Sequence, residues 1–435
     1  MDSTRPTPLS ETPAAGLRPD EGRSDGTCPT GAGSALRPLG PADLAARVAE
    51  LSAELVACRR DFHRWPELSF REVHTAARIA SELQAMGLEV QTGVAKTGVV
   101  GLLRGGRASS ADAKTLLLRA DIDALPLDEQ NDVSYRSRNP GVMHACGHDA
   151  HMAMLLTAIR ILAEQRESLA GNLKFVFQPA EEGPGGADLM IAEGVLDAPR
   201  VDAAIGFHIW NDLPVGVIGV RPGPLMASSD EFEIVIEGQG THAADPHLGV
   251  DAVVVAAHVL TALQSIVSRQ VSPLDSAVLS VGKIVSGSAH NVIAQTAHMS
   301  GTVRTFNEEL RATMPGRIER LIEGVAAAFG AKARLDYRYQ YPVLVNAPEL
   351  TTLVRRAAER SVGFERVITA EATMGAEDMA YFQREVPGCY FLIGSANPDK
   401  GCDKPHHHPQ FDIDEDAMPL GVQVIVQAAL DYLTD

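Results

Sequence analysis

From Pro41 onward, apolar residues recur every three or four positions: Leu44, Val48, Leu51, Leu55 and Phe62, then Ala76, Ile79, Leu83 and Met86 before Gly87. That spacing lines one face of a helix, so the segment predicts two amphipathic helices in succession. Short apolar runs then alternate with helical ones. Strands are expected at 99–103, 116–118, 173–177 and 203–207, with a helix over about 149–166. Such alternation builds a largely parallel sheet covered by helices.

The rhythm changes at Glu231. The pattern predicts a strand at 231–237, a helix at 251–267, strands at 277–284 and 298–306, a helix at 309–329 and a strand at 333–339. The order β-α-β-β-α-β is that of a split βαβ, ferredoxin-like unit. Helices near 349–361 and 376–385, a strand at 389–393 and a helix at 417–433 then complete the first unit. The expected architecture is an α/β domain (41–226 and 340–435) with a mixed, largely parallel sheet, interrupted by an inserted α+β domain (227–339) and preceded by a tail at 1–40. That tail is rich in Pro, Gly, Ser and Thr, without the apolar run of a signal peptide, and reads as disordered. The apolar stretch 252–267 is shorter than a membrane span and reads as a buried helix.

Composition narrows the partners. With 435 residues, 45% hydrophobic and 22% charged, the chain is an ordinary globular protein of more than one core. A formal charge of −18 repels phosphate backbones and anionic membranes, so neither nucleic acid nor membrane is an expected partner. Five scattered cysteines do not form a disulfide framework and point to a reducing, cytoplasmic setting.

Open α/β sheets bind ligands beyond the carboxyl ends of their strands. The chemistry of this chain collects there. Asp121 and Asp123 follow the second predicted strand, Glu181 and Glu182 the third, and His208 the fourth; His144, Cys146, His148 and His151 open a helix, and His406, His407 and His408 lie in a late loop. Thiolate, imidazole and carboxylate are transition-metal ligands, and this many donors suit two ions. Adjacent acids allow one carboxylate to bind metal while the other moves a proton. Singly, each has a plainer reading: Cys146 as a small core residue, His208 as a packed imidazole, Glu181 and Glu182 as an acidic helix start, Asp121 and Asp123 as turn residues, and 406–408 as a solvated loop.

The stretches HRWPELSF, LLRADIDALPL, MHACGHDAHMAM, FVFQPAEEGPGGA, GFHIWNDLPVG, GQGTHAADPHLGVDAV, AHNVIAQTA, GTVRTF, MGAEDMAYF and HHHPQFDIDEDA occur in this order. Together they resemble the zinc-dependent aminoacylase and carboxypeptidase family, in particular its amidohydrolase branch of hippurate and auxin-conjugate hydrolases. The resemblance implies a metallohydrolase domain with a lid or dimerisation domain. It implies two divalent ions (Zn, Mn, Co or Ni), with Cys146 bridging, His148 and His208 on one ion, and Glu182 and His407 on the other. Glu181 would be the general base and Asp123 would orient a ligand; His242, Asn291 and Arg304 would handle the scissile carbonyl and the substrate carboxylate, His242 from a partner subunit of a homodimer. The implied reaction is hydrolysis of an N-acyl-amino acid to a carboxylic acid and a free amino acid, with broader dipeptidase or carboxypeptidase activity as the alternative. Two other readings compete: a cysteine amidase with Cys146 as nucleophile and His148 or His144 as base, and a non-catalytic small-molecule binding protein.

Overall fold

The computed structural model describes residues 39–108 and 113–434; nearly all of the expected tail lies outside the described residues. Sixteen strands and nine α-helices follow Leu39 among them. The first unit contributes α1 (Pro41–Arg64), α2 (Val73–Ala85), β1 (Glu89–Val94), β2 (Gly98–Arg104), β3 (Thr115–Asp121), α3 (His148–Glu164), β4 (Asn172–Gln178), α4 (Ala187–Ala192), β5 (Ala203–Pro214), β6 (Ile218–Gly219) and β7 (Gly223–Met226). The small unit follows: β8 (Asp230–Glu237), β9 (Thr241–His242), α5 (Ala252–Ser265), β10 (Ala277–Ser286), β11 (Val292–Ile293), β12 (Thr296–Thr305), α6 (Glu308–Ala328) and β13 (Lys332–Tyr339). The chain then returns through β14 (Leu344–Asn346), α7 (Pro348–Val362), β15 (Val367–Ile368), α8 (Met379–Glu385), β16 (Gly388–Ala396) and α9 (Ala417–Thr434).

Eight strands form one mixed sheet in the order β1-β2-β4-β3-β5-β16-β6-β15. Its centre, β4-β3-β5-β16, is parallel, and antiparallel pairs flank it. Both faces of that centre are covered. Leu116, Leu118, Phe175, Phe177, Ile205 and Phe207 pack into a core with α1, α3, α7 and α9, while Leu117, Val176, Ala204 and Leu392 pack into a second core with α4 and α8. Burial on both faces is why these strands read as unbroken apolar runs.

The small unit differs. Its sheet runs β10-β12-β8-β13 with every neighbour antiparallel, the ferredoxin-like order. Only one face is covered, by α5 and α6, so Phe232, Ile234 and Ile236 are buried while Glu231, Glu233 and Glu237 are exposed. Helix α5 departs from the expected buried helix. Val255, Ala256, Val259 and Leu263 pack inward, but Val253 and Val254 on the other face are 48% and 45% exposed, because the helix covers the sheet with one side only.

Candidate metal centre

Three strands of the central sheet and two loops build the site. Strand β3 stops at Asp121 and the chain turns to Asp123; β4 stops at Gln178 and the chain turns to Glu181 and Glu182. His208 lies inside β5 rather than at its end, since β5 continues beside β16 to Pro214. Its ladder with β3, however, ends at Gly206, and so the imidazole projects where β3 has run out. Gly147, with φ 91°, turns the chain into α3 at His148. Glu181 and Glu182 open no helix; α4 begins at Ala187.

The donor atoms converge. Cys146 Sγ lies 3.4 Å from His208 Nε2, His407 Nε2 lies 3.1 Å from Glu182 Oε1, and His148 Nε2 lies 3.9 Å from the same oxygen. Two sets, Cys146–His148–His208 and Cys146–Glu182–His407, each have donor atoms within 4.8 Å of one another, and Cys146 belongs to both. A third set joins His148 to Glu181 and Glu182.

Neighbours aim these rings. His148 Nδ1 donates to the Asp123 carbonyl at 2.9 Å, and His208 Nδ1 is held by the Ile209 carbonyl, so that each Nε2 turns to the cluster with its lone pair. His148 Nε2 is buried and lacks any hydrogen-bond partner, and Glu182 Oε1, also buried, is approached by the ring nitrogens of His407 and His148. A buried bare imidazole nitrogen beside a carboxylate oxygen and a thiol, all converging on one place, fits a shared cation, and the thiol, imidazole and carboxylate donors are those of a transition metal. The triplet at 406–408 divides. His406 accepts the Asn211 N–H at 3.3 Å, and His408 accepts the Gln410 N–H at 3.0 Å. His407 stands in a left-handed conformation, φ 66°, with its N–H on the Ala145 carbonyl. Backbone strain of that kind gathers at functional positions.

Asp123, 1% exposed, secures the acid-bearing loop. Its carboxylate accepts the Glu181 and Glu182 N–H groups, each at 3.0 Å, and the Ser69 hydroxyl at 2.7 Å. Behind Glu181 sits a second acidic layer that the residue pattern did not anticipate, Glu377 and Asp378 of the MGAEDMAYF stretch. Arg119, fully buried, partly offsets it by pairing with Asp121, Glu377 and Asp378 at 2.8, 2.9 and 2.8 Å. His151 is likewise spent within the protein, donating to Asp121 at 2.6 Å and accepting the Ile209 N–H at 2.9 Å.

Electrostatics separate the groups. Burial, then Glu377 and Glu182, hold the Glu181 carboxyl well above the usual carboxylate range. Burial, then Glu182 and Glu181, push the Cys146 thiol well up, the opposite of what a cysteine nucleophile requires. His144, the other proposed partner of such a nucleophile, is buried with both ring nitrogens unpartnered and is held down to about 4 by burial.

In the small unit, β9 pairs with β11, setting His242 opposite Val292, and Ala243 N–H donates to the Asn291 carbonyl at 3.0 Å. His242 Nδ1 accepts the Ala244 N–H at 3.0 Å, which leaves Nε2–H free on an exposed ring. Arg304 is half-buried and bonds to Thr302 and the Val303 carbonyl; Glu308, an alternative partner, instead pairs with Arg311. Arg304 borders a cavity of about 480 Å³ on the open sheet face. Among the described residues, no hydrogen bond joins His242, Asn291 or Arg304 to the Cys146 cluster.

A helix-covered mixed sheet with convergent candidate metal donors near its strand ends and a ferredoxin-like insertion is the architecture of a metallopeptidase-type hydrolase. The chain belongs to peptidase family M20/M25/M40, whose model matches residues 117–431. It is 42% identical over 368 residues to an N-acetyl-L-cysteine deacetylase of Bacillus subtilis (strain 168), covering 85% of this chain and 85% of that protein. It is 44% identical over 303 residues to an N-acyl-L-amino acid amidohydrolase of Geobacillus stearothermophilus, covering 69% of this chain and 80% of that one. A Bacillus subtilis crystal structure described as a dinuclear metal binding peptidase from the M20 family superposes with a TM-score of 0.77 at 36% identity, covering 89% of this chain and 99% of that chain.

Proposed function

We propose that this protein is a two-metal amidohydrolase that splits N-acyl-amino acids, hippurate-like or indole-acetyl conjugates among them, into a carboxylic acid and a free amino acid. The observation that carries the reading is Cys146 shared between two donor sets, with Glu181 beside Glu182 at their junction. Cys146 is common to both donor sets; His148 and His208 would hold one ion and Glu182 and His407 the other. When bound, Zn, Mn, Co or Ni ions there supply Lewis acidity to the amide oxygen and to the attacking water. Glu181 takes the proton of that water and returns it to the leaving nitrogen. Asp123 keeps Glu181 and Glu182 in place through their N–H groups. Arg304, free of any acid partner, pairs with the substrate carboxylate through its forked guanidinium.

The lid, residues 227–339, completes the site in a homodimer, where His242 and Asn291 of one subunit reach the other's centre. Two features support this assembly: the free Nε2–H of His242, and exposed apolar residues on the small unit, Val253 and Val254 of α5 and Ile284 and Val285 of edge strand β10. The free thiols Cys58, Cys146, Cys389 and Cys402 suit the cytoplasm.

The test is a panel of N-acetyl-, N-benzoyl- and indole-acetyl-amino acids assayed with each metal, scoring released amino acid. Chelator should silence the protein and added metal restore it. Full activity in a metal-free preparation would overturn the reading.

A further inference from the structure

The loop from Pro179 to Gly186 carries both carboxylates and is held by its N–H groups from one side. Ala180 N–H donates to Glu72 at 3.1 Å, Glu181 and Glu182 N–H to Asp123, and Gly186 and Ala187 N–H to Asp378 at 3.0 and 3.1 Å. All three acceptors belong to the large unit. Two of the loop's carbonyls meet a different anchor. The Tyr341 hydroxyl lies 2.7 Å from the Glu181 carbonyl and 3.2 Å from that of Gly183, and the Tyr341 ring packs against Gly185, where a Cβ would stand 3.1 Å from the ring edge.

Tyr341 is not part of the large unit's sheet. It sits in the crossing segment between β13 of the small unit and β14 of the large one. The small unit grips that segment. Gln340 N–H donates to Asp230 at 3.1 Å, the Gln340 carbonyl accepts from Arg311 at 2.9 Å, and Ser229, in the outgoing crossing just before β8, donates its N–H to the Tyr341 carbonyl at 2.8 Å. Asp230 is itself locked, buried against Arg311 and the Tyr337 hydroxyl.

We propose that Tyr341 is a positioning residue, tying the crossing segment of the small unit to the loop of Glu181 and Glu182 so that a shift of the lid is felt by both carboxylates. The proposal rests on the amidohydrolase reading for its catalytic consequence but not for the tether. Because the hydroxyl touches only backbone, it moves the loop without altering either acid. Rate is sensitive to such placement, since an ångström of misalignment can cost about 100-fold.

The experiment compares wild type, Tyr341→Phe and Tyr381→Phe in the full-length, metal-loaded protein. Tyr381→Phe is the control: its hydroxyl bonds the Gln340 carbonyl in the same segment at 3.0 Å but makes no bond to the loop. Hydrogen exchange should quicken at the amides of 180–187 in Tyr341→Phe alone, with protection elsewhere unchanged. In the same variant kcat on the best N-acyl-amino acid should fall about 10-fold while KM and bound metal hold, the signature of a misplaced base rather than a lost ligand. Unchanged loop protection, or protection lost evenly over the whole chain, would overturn the tether. Faster local exchange in a protein that cleaves no N-acyl-amino acid even as wild type would support the tether and sink the functional reading instead.

Discussion

Replacing Asp123 with asparagine keeps the shape of the side chain and removes its charge, and the structure says what each lost contact does. The carboxylate accepts three donors: Glu181 N–H and Glu182 N–H, each at 3.0 Å, and the Ser69 hydroxyl at 2.7 Å. An asparagine has one acceptor oxygen. In either flip its NH2 group meets a backbone N–H, so at least one charge-assisted bond is lost in a site that is 1% exposed. A hydrogen bond to a charged partner contributes about 1.5–3 kcal/mol, and each 1.4 kcal/mol is tenfold, so the correctly placed loop is depleted about 10- to 100-fold. The same factor should appear in kcat, because a displaced Glu181 cannot reach the attacking water. Ser69→Ala removes one donor to the same carboxylate but leaves both loop N–H bonds in place, so it should cost less in kcat than Asp123→Asn. His148 is oriented by the Asp123 backbone carbonyl, which neither change removes. Bound metal, read by elemental analysis, should therefore stay near the wild-type level on that side. An Asp123→Asn enzyme as active as Ser69→Ala would refute this reasoning.

Glu181→Gln should keep its metal and lose at least about 100-fold in kcat, and metal lost from it but not from Glu182→Gln would reverse the two roles. Methyl esters of the substrates, compared with the free acids, should be poor substrates if Arg304 binds the carboxylate; equal rates would favour a broader amidase. His63 tests the buried network behind α3. Burial opposes its charge, but Asp149 at 2.8 Å and Glu129 at 3.1 Å outweigh that and raise the ring to about 9. The raised folded-state value means the stabilisation is full below about pH 6.5 and is lost as pH climbs through about 9. Thermal melts from pH 6 to 9.5 should show that decline in wild type and not in His63→Gln; parallel curves would refute it. Mixing inactive His242→Ala with inactive Glu181→Gln should restore partial activity as subunits exchange, and mixed dimers that form yet stay dead would exclude a role for His242 across the interface.

Legibility followed the physics of burial. Strands β3, β4, β5 and β16 are covered on both faces and show themselves as apolar runs, and β8 is covered on one face and alternates, so both patterns could be read. The edge strand β1, Glu-Val-Gln-Thr-Gly-Val, has neither pattern because it is mostly exposed; β6 and β15 are two residues each, too short for any period. The same logic governs the site. Cys146, His148, Glu182 and His407 were visible because residue types able to bind metal are rare and stand here in a marked order, and folding brings them within reach of one another. Residues that act through backbone atoms leave no such mark. Ser69, Asp378 and Tyr341 hold the acid-bearing loop by bonds to N–H and carbonyl groups that every residue possesses, so nothing in the loop's own composition points to them. Composition names the groups that can do chemistry; only the fold shows which neighbours set their distance, and in this protein those neighbours include a residue of the crossing between the two units.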